Sequence, residues 1–85
     1  MGNYKVLIKP SAVREIESIP REDRLRIVRK IQALSDNPRP AGCDALSGQE
    51  KFRLRQGVYR IVYSIGDGVQ EVLVVKVAHR REVYR

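Results

Sequence analysis

The sequence contains very little of what metal sites and common nucleophilic enzymes are built from. It has one cysteine, Cys43, one histidine, His79, and no tryptophan. A single cysteine excludes a disulfide within the chain, and one cysteine with one histidine gives no recognisable metal-ligand spacing. A serine or cysteine nucleophile needs a positioned base, and His79 is the only imidazole present. We therefore expect no metal and no cofactor, and acid–base schemes that need two histidines are excluded.

A long apolar run is also missing. No stretch approaches the roughly 18 apolar residues that a membrane-spanning helix requires. The first residues lack the charged-then-apolar pattern of a signal peptide. We therefore expect a cytoplasmic protein without a membrane partner. The length of 85 residues suits a single domain covering 1–85.

What the sequence has in excess is positive charge. It carries 17 Lys and Arg against 10 Asp and Glu, a formal net charge of +7. Residues 1–50 hold nine cations against seven carboxylates, a balance of +2, whereas residues 51–85 hold eight against three, a balance of +5. A one-sided cationic field attracts polyanions. The candidate partners are nucleic acid, an anionic membrane or an acidic protein, and the plain alternative is a solvated basic surface.

Periodicity in the first half indicates a strand followed by two helices. Residues 4–9 alternate between β-forming types, which is typical of a strand. Ser11 suits the N-cap of the first helix. Pro20 ends that helix and suits the first position of a second one, whose apolar stripe runs through Asp36. The two helices should lie antiparallel and share one apolar seam, formed by Val13, Ile16, Ile19, Leu25, Ile27, Val28, Ile31 and Leu34.

The second half has the period of strands. Residues 37–49 contain proline and glycine and are expected to form an irregular connection. Lys51, Arg53 and Arg55 then alternate with apolar residues, so they should lie on the open face of a half-buried strand. Two further apolar strands are joined by the hairpin signal Gly66-Asp67-Gly68. The order β-α-α-β-β-β predicts an α+β fold, with both helices on one face of a four-stranded, largely antiparallel sheet.

The candidate functional side chains are guanidinium and ammonium groups with a phenol near the end of the chain. Arginine can grip a phosphate with two N–H groups and offset developing charge. RNA carries its own nucleophile, the 2′-hydroxyl, so holding the nucleotide in line and stabilising the transition state could supply most of the acceleration. Arg60 interrupts an apolar strand and must reach solvent, a partner or a carboxylate. Tyr84 could stack on a base.

Four segments of the second half of the sequence together form a recognisable pattern. They are Leu46-Ser47-Gly48, Phe52-Arg53-Leu54-Arg55, Tyr59-Arg60-Ile61-Val62-Tyr63 and His79-Arg80-Arg81-Glu82-Val83-Tyr84-Arg85. These segments resemble the RelE branch of the RelE/ParE toxin superfamily. The first strand, Pro20 between the helices, and Asn37-Pro38 resemble the first half of the same family. The pattern Tyr-Arg-x-Val-Tyr occurs in both branches, and the ending His-Arg-Arg-x-Val-Tyr points to RelE.

This resemblance implies a RelE-like, microbial-RNase-type fold and the toxin of a type II toxin–antitoxin system. Such a toxin is a metal-independent, ribosome-dependent endoribonuclease that cleaves mRNA in the A site through 2′-hydroxyl attack and so inhibits translation. The implied partners are the ribosome, mRNA and an acidic, RelB-like antitoxin. Two alternatives stay open: a ParE-like inhibitor of DNA gyrase, and a catalytically inactive member that binds antitoxin or RNA.

Carried over by position, the resemblance implies which residues act. Arg60 and Arg80 would clamp the scissile phosphate, with Arg80 also assisting the leaving 5′-oxygen, and Tyr84 would orient the nucleotide. Lys51 and Arg53 fall where relatives have lysines, the second of which is proposed to take the 2′-hydroxyl proton.

Arg53 departs from that pattern, because arginine stays protonated in proteins and is a poor general base. The proton could instead leave through Lys51, His79, Tyr84 or water. Additional contacts to RNA are expected from Arg55, His79, Arg81 and Arg85.

Overall fold

The computed structural model describes residues 3–46 and 50–80. Its five strands form one sheet in the order β1-β5-β4-β3-β2. Neighbouring strands are antiparallel except β1 and β5, which are parallel. The predicted α+β class is therefore confirmed. The elements are β1 (Lys5–Ile8), α1 (Pro10–Glu17), α2 (Arg21–Ala33), β2 (Asp44–Ala45), β3 (Lys51–Gln56), β4 (Tyr59–Gly66) and β5 (Glu71–His79).

The sheet has five strands where the sequence predicted four. The additional strand, β2, lies inside the segment that was expected to be irregular. Asp44 pairs with Arg53, and Ala45 pairs with Phe52. Two residues are too few to show a period, so the sequence did not predict this strand. The strand is defined by its pairing with the edge of β3.

The helix boundaries differ from the predicted ones. Helix α1 begins at Pro10, one residue before Ser11, and no side chain caps it. Proline is tolerated there because the first-turn N–H groups have no partner within the helix. Pro20 is the N-cap of α2 rather than its first helical residue, and α2 ends at Ala33, short of Asp36. Within the described residues, no helix is long and apolar enough to cross a membrane.

The hydrophobic core lies between the two helices and one face of the sheet. Its helical residues are spaced as a single stripe, but the stripe is shifted from the predicted one: Ala12 is buried instead of Val13, and Leu25 is exposed. Helix α1 packs against β5 with one side only, the side that carries Ala12 and Ile16, so the neighbouring Val13 stays exposed to solvent. The core residues are Ala12, Ile16, Ile19, Ile27, Ile31, Leu34, Leu54, Ile61, Tyr63, Val72, Val74 and Val77.

A β-bulge interrupts the pairing of β4 with β5. Val62 lies opposite Lys76 and Tyr63 opposite Val74, so Val75 has no counterpart on β4. In a regular strand, two residues three positions apart lie on opposite faces. The extra residue instead turns both Val74 and Val77 toward the helices, where both are buried.

Candidate functional site

The cations of β3 lie on the sheet face that points away from the helices. Leu54 is buried in the core, so the alternation of the strand turns Arg53 and Arg55 to the opposite face. Arg60 of β4 lies directly opposite Arg55 in the pairing register and therefore shares that face. For Arg53 and Arg55, this is the placement that the alternating pattern predicted.

A cleft of about 250 Å³ opens beside these arginines. We call it the arginine cleft. Four cationic side chains and one carboxylate line it, so its charge suits a phosphate group. The lining residues are Lys30, Ala41, Gly42, Asp44, Arg53, Leu54, Arg55 and Arg60.

Arg60 is a buried charged residue, with only 6% of its surface exposed. Its Nη1 donates a hydrogen bond to the carbonyl oxygen of Tyr59 at 3.4 Å, which is long for a strong contact. Its cross-strand neighbour is Arg55, and like charges placed directly opposite one another destabilise a sheet, by about 0.2–1 kcal/mol. A desolvated cation facing a second cation does not favour the fold. An anion bound in the cleft would offset this cost.

Asp44 and Arg53 face each other on neighbouring strands, β2 at the edge of the sheet and β3 beside it. The Nη2 atom of Arg53 lies 3.6 Å from Oδ2 of Asp44, and the side chains are 21% and 64% exposed, respectively. The two residues are direct partners in the β2–β3 ladder. Strand β2 therefore places a carboxylate in the arginine cleft.

The loop that contributes Ala41 and Gly42 to the cleft is attached to the sheet by a buried hydrogen bond. The hydroxyl of Tyr63 donates to the carbonyl oxygen of Pro38 at 2.8 Å. Burial raises the pKa of Tyr63 above its usual range, so the phenol stays protonated and keeps donating.

A second, exposed contact holds the same loop. The guanidinium of Arg39 donates to both carboxylate oxygens of Asp67, at 3.2 and 2.8 Å. It also lies over the ring of Phe52, 5.3 Å from the centroid. Tyr4 donates a further hydrogen bond to Asp67 at 2.8 Å. The hydrogen bonds from Arg39 and then from Tyr4 lower the pKa of Asp67.

Arg80 lies close to Arg60 in the backbone. Its N–H donates to the carbonyl oxygen of Val58 at 2.7 Å, directly after the last pair of the β4–β5 ladder, Tyr59 with His79. Ala78 is the residue directly opposite Arg60, and Arg80 follows two positions later. Diagonal neighbours of this kind are roughly 7–8 Å apart. The structure therefore brings the positions of the two predicted clamp residues together.

Lys51 and His79 lie away from the arginine cleft. Lys51 pairs with Ser64, four positions from the Arg55–Arg60 pair, which is roughly 13 Å along the strand. His79 pairs with Tyr59. Because Tyr59 precedes Arg60, both rings lie on the helix-facing side, with centroids 6.0 Å apart in an edge contact.

Three of the predicted residues, Arg81, Tyr84 and Arg85, lie outside the described residues, so their roles remain predictions.

Two charged residues of the arginine cleft, Lys30 and Asp44, were not predicted from the sequence. Lys30 is an ordinary exposed position of α2 in the sequence, and only the packing of that helix beside β3 brings it to the cleft. No sequence pattern indicated Asp44, because its strand of two residues is too short to show a hydrophobic period. In the part of the chain that the structure describes, no group of His, Cys, Asp and Glu could hold a metal ion.

Comparison with known proteins identifies the family. The model of the ParE toxin of type II toxin–antitoxin systems matches residues 6–84. The toxin RelE of Mycobacterium tuberculosis is 31% identical over 84 residues, which are 96% of this chain and 87% of that protein. The chain thus belongs to the RelE/ParE superfamily of type II toxin–antitoxin toxins.

Solved structures share both the fold and nearly the full length. A RelBE toxin–antitoxin complex from Mycobacterium tuberculosis gives a TM-score of 0.80 at 28% identity, covering 91% of this chain and 98% of that one. An archaeal RelE–RelB complex from Pyrococcus horikoshii gives 0.82 at 25% identity, covering 91% and 94%. A free mutant RelE from E. coli gives 0.75 at 27% identity, covering 99% and 92%.

Proposed function

We propose that this toxin is a ribosome-dependent endoribonuclease that cleaves mRNA in the A site through attack of a 2′-hydroxyl on the adjacent phosphate. The observation that carries the proposal is the buried Arg60 facing Arg55 in a cleft lined by further cations. The phosphate gains negative charge in the transition state, and fixed donors in a desolvated site stabilise such charge far better than water does. The step needs neither a metal nor a cofactor.

The proposed roles of Arg60, Arg80 and Tyr84 are those that the resemblance implies. Arg60 and Arg80 clamp the scissile phosphate, and Tyr84 stacks on the nucleotide. Arg53 and Arg55 bind RNA beside the clamp from the neighbouring strand. Arg81, Arg85 and His79 are proposed to make further contacts to RNA.

We propose that Lys51 acts outside the clamp rather than as the proton acceptor. It is not among the residues that line the arginine cleft, and its backbone lies roughly 13 Å along the strand from the Arg55–Arg60 pair. We propose that Lys51 holds a phosphate elsewhere along the message.

An acidic, RelB-like antitoxin is the proposed partner that keeps the toxin inactive. RelE of Pyrococcus horikoshii is in complex with RelB in its solved structure. Here the net charge is +7, and part of it lies in a row on the face without helices. A segment rich in Asp and Glu complements this surface and excludes RNA from it.

Primer extension on a message under translation tests the activity. With the purified protein added, we expect new RNA ends at codons in the A site, and the Arg60→Ala variant should produce almost none. A message that stays intact with well-folded wild-type protein would contradict the proposal.

A ParE-like inhibitor of DNA gyrase is the second candidate, because the matching family model is that of ParE. Assaying the message and DNA treated with gyrase in parallel separates the two candidate functions. Breaks in DNA that depend on gyrase, with intact message, would support the second candidate. Intact message and intact DNA would instead indicate an inactive, binding-only member.

A further inference from the structure

We infer that Asp44 is the general base that takes the proton of the attacking 2′-hydroxyl, an inference that rests on the proposed function. Asp44 is the one carboxylate among the described residues that line the arginine cleft. Its side chain is 64% exposed, so a bound nucleotide can reach it. It also lies on the same sheet face as Arg60, because it pairs with Arg53 and Arg53 shares that face.

Among the residues that the structure describes, the other candidate bases are placed less well. Arg53 stays protonated and cannot accept a proton. Lys51 is not among the residues that line the arginine cleft. His79 lies on the opposite face of the sheet, beside Tyr59. Within residues 3–46 and 50–80, the carboxylate of Asp44 is therefore the acceptor that the cleft offers.

Arg53 then acts as a positioning residue. Its side chain is 21% exposed, and its Nη2 lies 3.6 Å from one oxygen of Asp44, across a pair of strands that fixes both backbones. An ionised carboxylate accepts about four hydrogen bonds, so contact with one guanidinium leaves room for a hydroxyl donor. This gives an arginine at position 53 a use that does not require it to lose a proton.

The chemical step balances without any further reactant except water. The proton of the 2′-hydroxyl passes to the carboxylate of Asp44 as the 2′-oxygen forms a bond to phosphorus. The bond from phosphorus to the 5′-oxygen breaks, and that oxygen takes a proton from water. The products are a 2′,3′-cyclic phosphate and a 5′-hydroxyl end, and Asp44 returns its proton to the solvent.

A competing interpretation is that Asp44 only neutralises part of the cationic cleft. The two interpretations predict opposite effects of Asp44→Asn, which keeps the shape of the side chain but removes its charge and basicity. If Asp44 only neutralises charge, the variant binds RNA more tightly and cleaves as fast or faster. If it is the base, the variant binds equally well or better but cleaves about 10²–10⁴-fold more slowly.

The experiment measures single-turnover cleavage of a message on programmed ribosomes, over a series of toxin concentrations. This gives a cleavage rate constant and a half-saturating concentration for wild type, Asp44→Asn, Asp44→Glu and Arg60→Ala. Asp44→Ala is assayed with and without added acetate, a small external base. Thermal unfolding of each variant provides the control for folding.

Slow cleavage by Asp44→Asn at an unchanged or lower half-saturating concentration, partial recovery in Asp44→Glu, and acceleration of Asp44→Ala by acetate would support the inference. Cleavage by Asp44→Asn at the wild-type rate would overturn it, as would an Asp44→Ala variant that is slow but indifferent to acetate. If Arg60→Ala is inactive while Asp44→Asn is normal, only the base assignment fails. If the wild type does not cleave, the proposed function fails and the inference fails with it.

Discussion

Replacing Arg60 with methionine should separate activity from stability. Methionine retains most of the volume of the side chain but removes the charge of a residue that is only 6% exposed. Loss of one donor to a developing oxyanion typically costs about 2.7–4 kcal/mol, so the cleavage rate should fall about 10²–10³-fold. The fold also loses the repulsion between Arg60 and Arg55, which is worth about 0.2–1 kcal/mol. The free energy of unfolding should therefore stay the same or rise by up to about 1 kcal/mol.

Two measurements check this prediction. Cleavage is followed by primer extension on a translated message, and stability by thermal unfolding, where about 1 kcal/mol shifts the Tm by about 4–8 °C in a domain of this size. Arg60→Lys is the matched control, since it keeps the charge but loses the two-pronged donor, and should retain intermediate activity at wild-type stability. A methionine variant that unfolds well below the wild-type temperature would refute the reasoning and assign Arg60 a structural role.

Two further predictions concern the loop that borders the cleft. Tyr63→Phe removes the donor to the buried carbonyl of Pro38 and should lower the free energy of unfolding by about 1–3 kcal/mol, measured by urea denaturation; an unchanged value would show that the carbonyl finds another donor. Asp67→Asn should lower the Tm at neutral pH, because Arg39 lowers the pKa of Asp67 in the folded protein and the ionised carboxylate then stabilises the fold. That contribution to stability is fully present when the pH is above the usual pKa of an aspartate, and it is lost as the pH falls through the lowered pKa of the folded protein. The difference in Tm between wild type and variant should therefore close on acidification, and a gap independent of pH would contradict the assignment.

The sequence determined the order of the main elements because their periods are long enough to read. Six residues of β3 alternate cleanly, so the open-face position of Arg53 and Arg55 followed from local pattern alone. The burial of β4 was equally readable, since a run of apolar residues with one arginine leaves few alternatives. The resemblance of Tyr59 to Tyr63 and of the final residues then indicated the superfamily, which the comparisons confirmed.

The composition of the site could not be predicted because it depends on pairing between distant segments. Asp44 reaches the arginine cleft only through a two-residue ladder with β3. Lys30 reaches it only because α2 packs beside that strand. The positions of Lys51 and His79 depend on register and on strand face, respectively. A one-residue change of pairing would have exchanged the two faces of the sheet, so the sequence pattern alone could not place either residue relative to the arginine cleft.

The unpaired Val75 has a mechanical consequence for the whole sheet. It separates four cross-strand pairs near Gly66, beside the segment of β5 that pairs with β1, from four pairs near Tyr59, which set Arg60 against the end of β5. Shortening the strand by that one residue would leave all eight pairs and both faces as they are. Shortening it one position later would instead remove Lys76 and set the bulged valine against Val62. Length can thus vary at this joint without changing the cross-strand partners on either side of it.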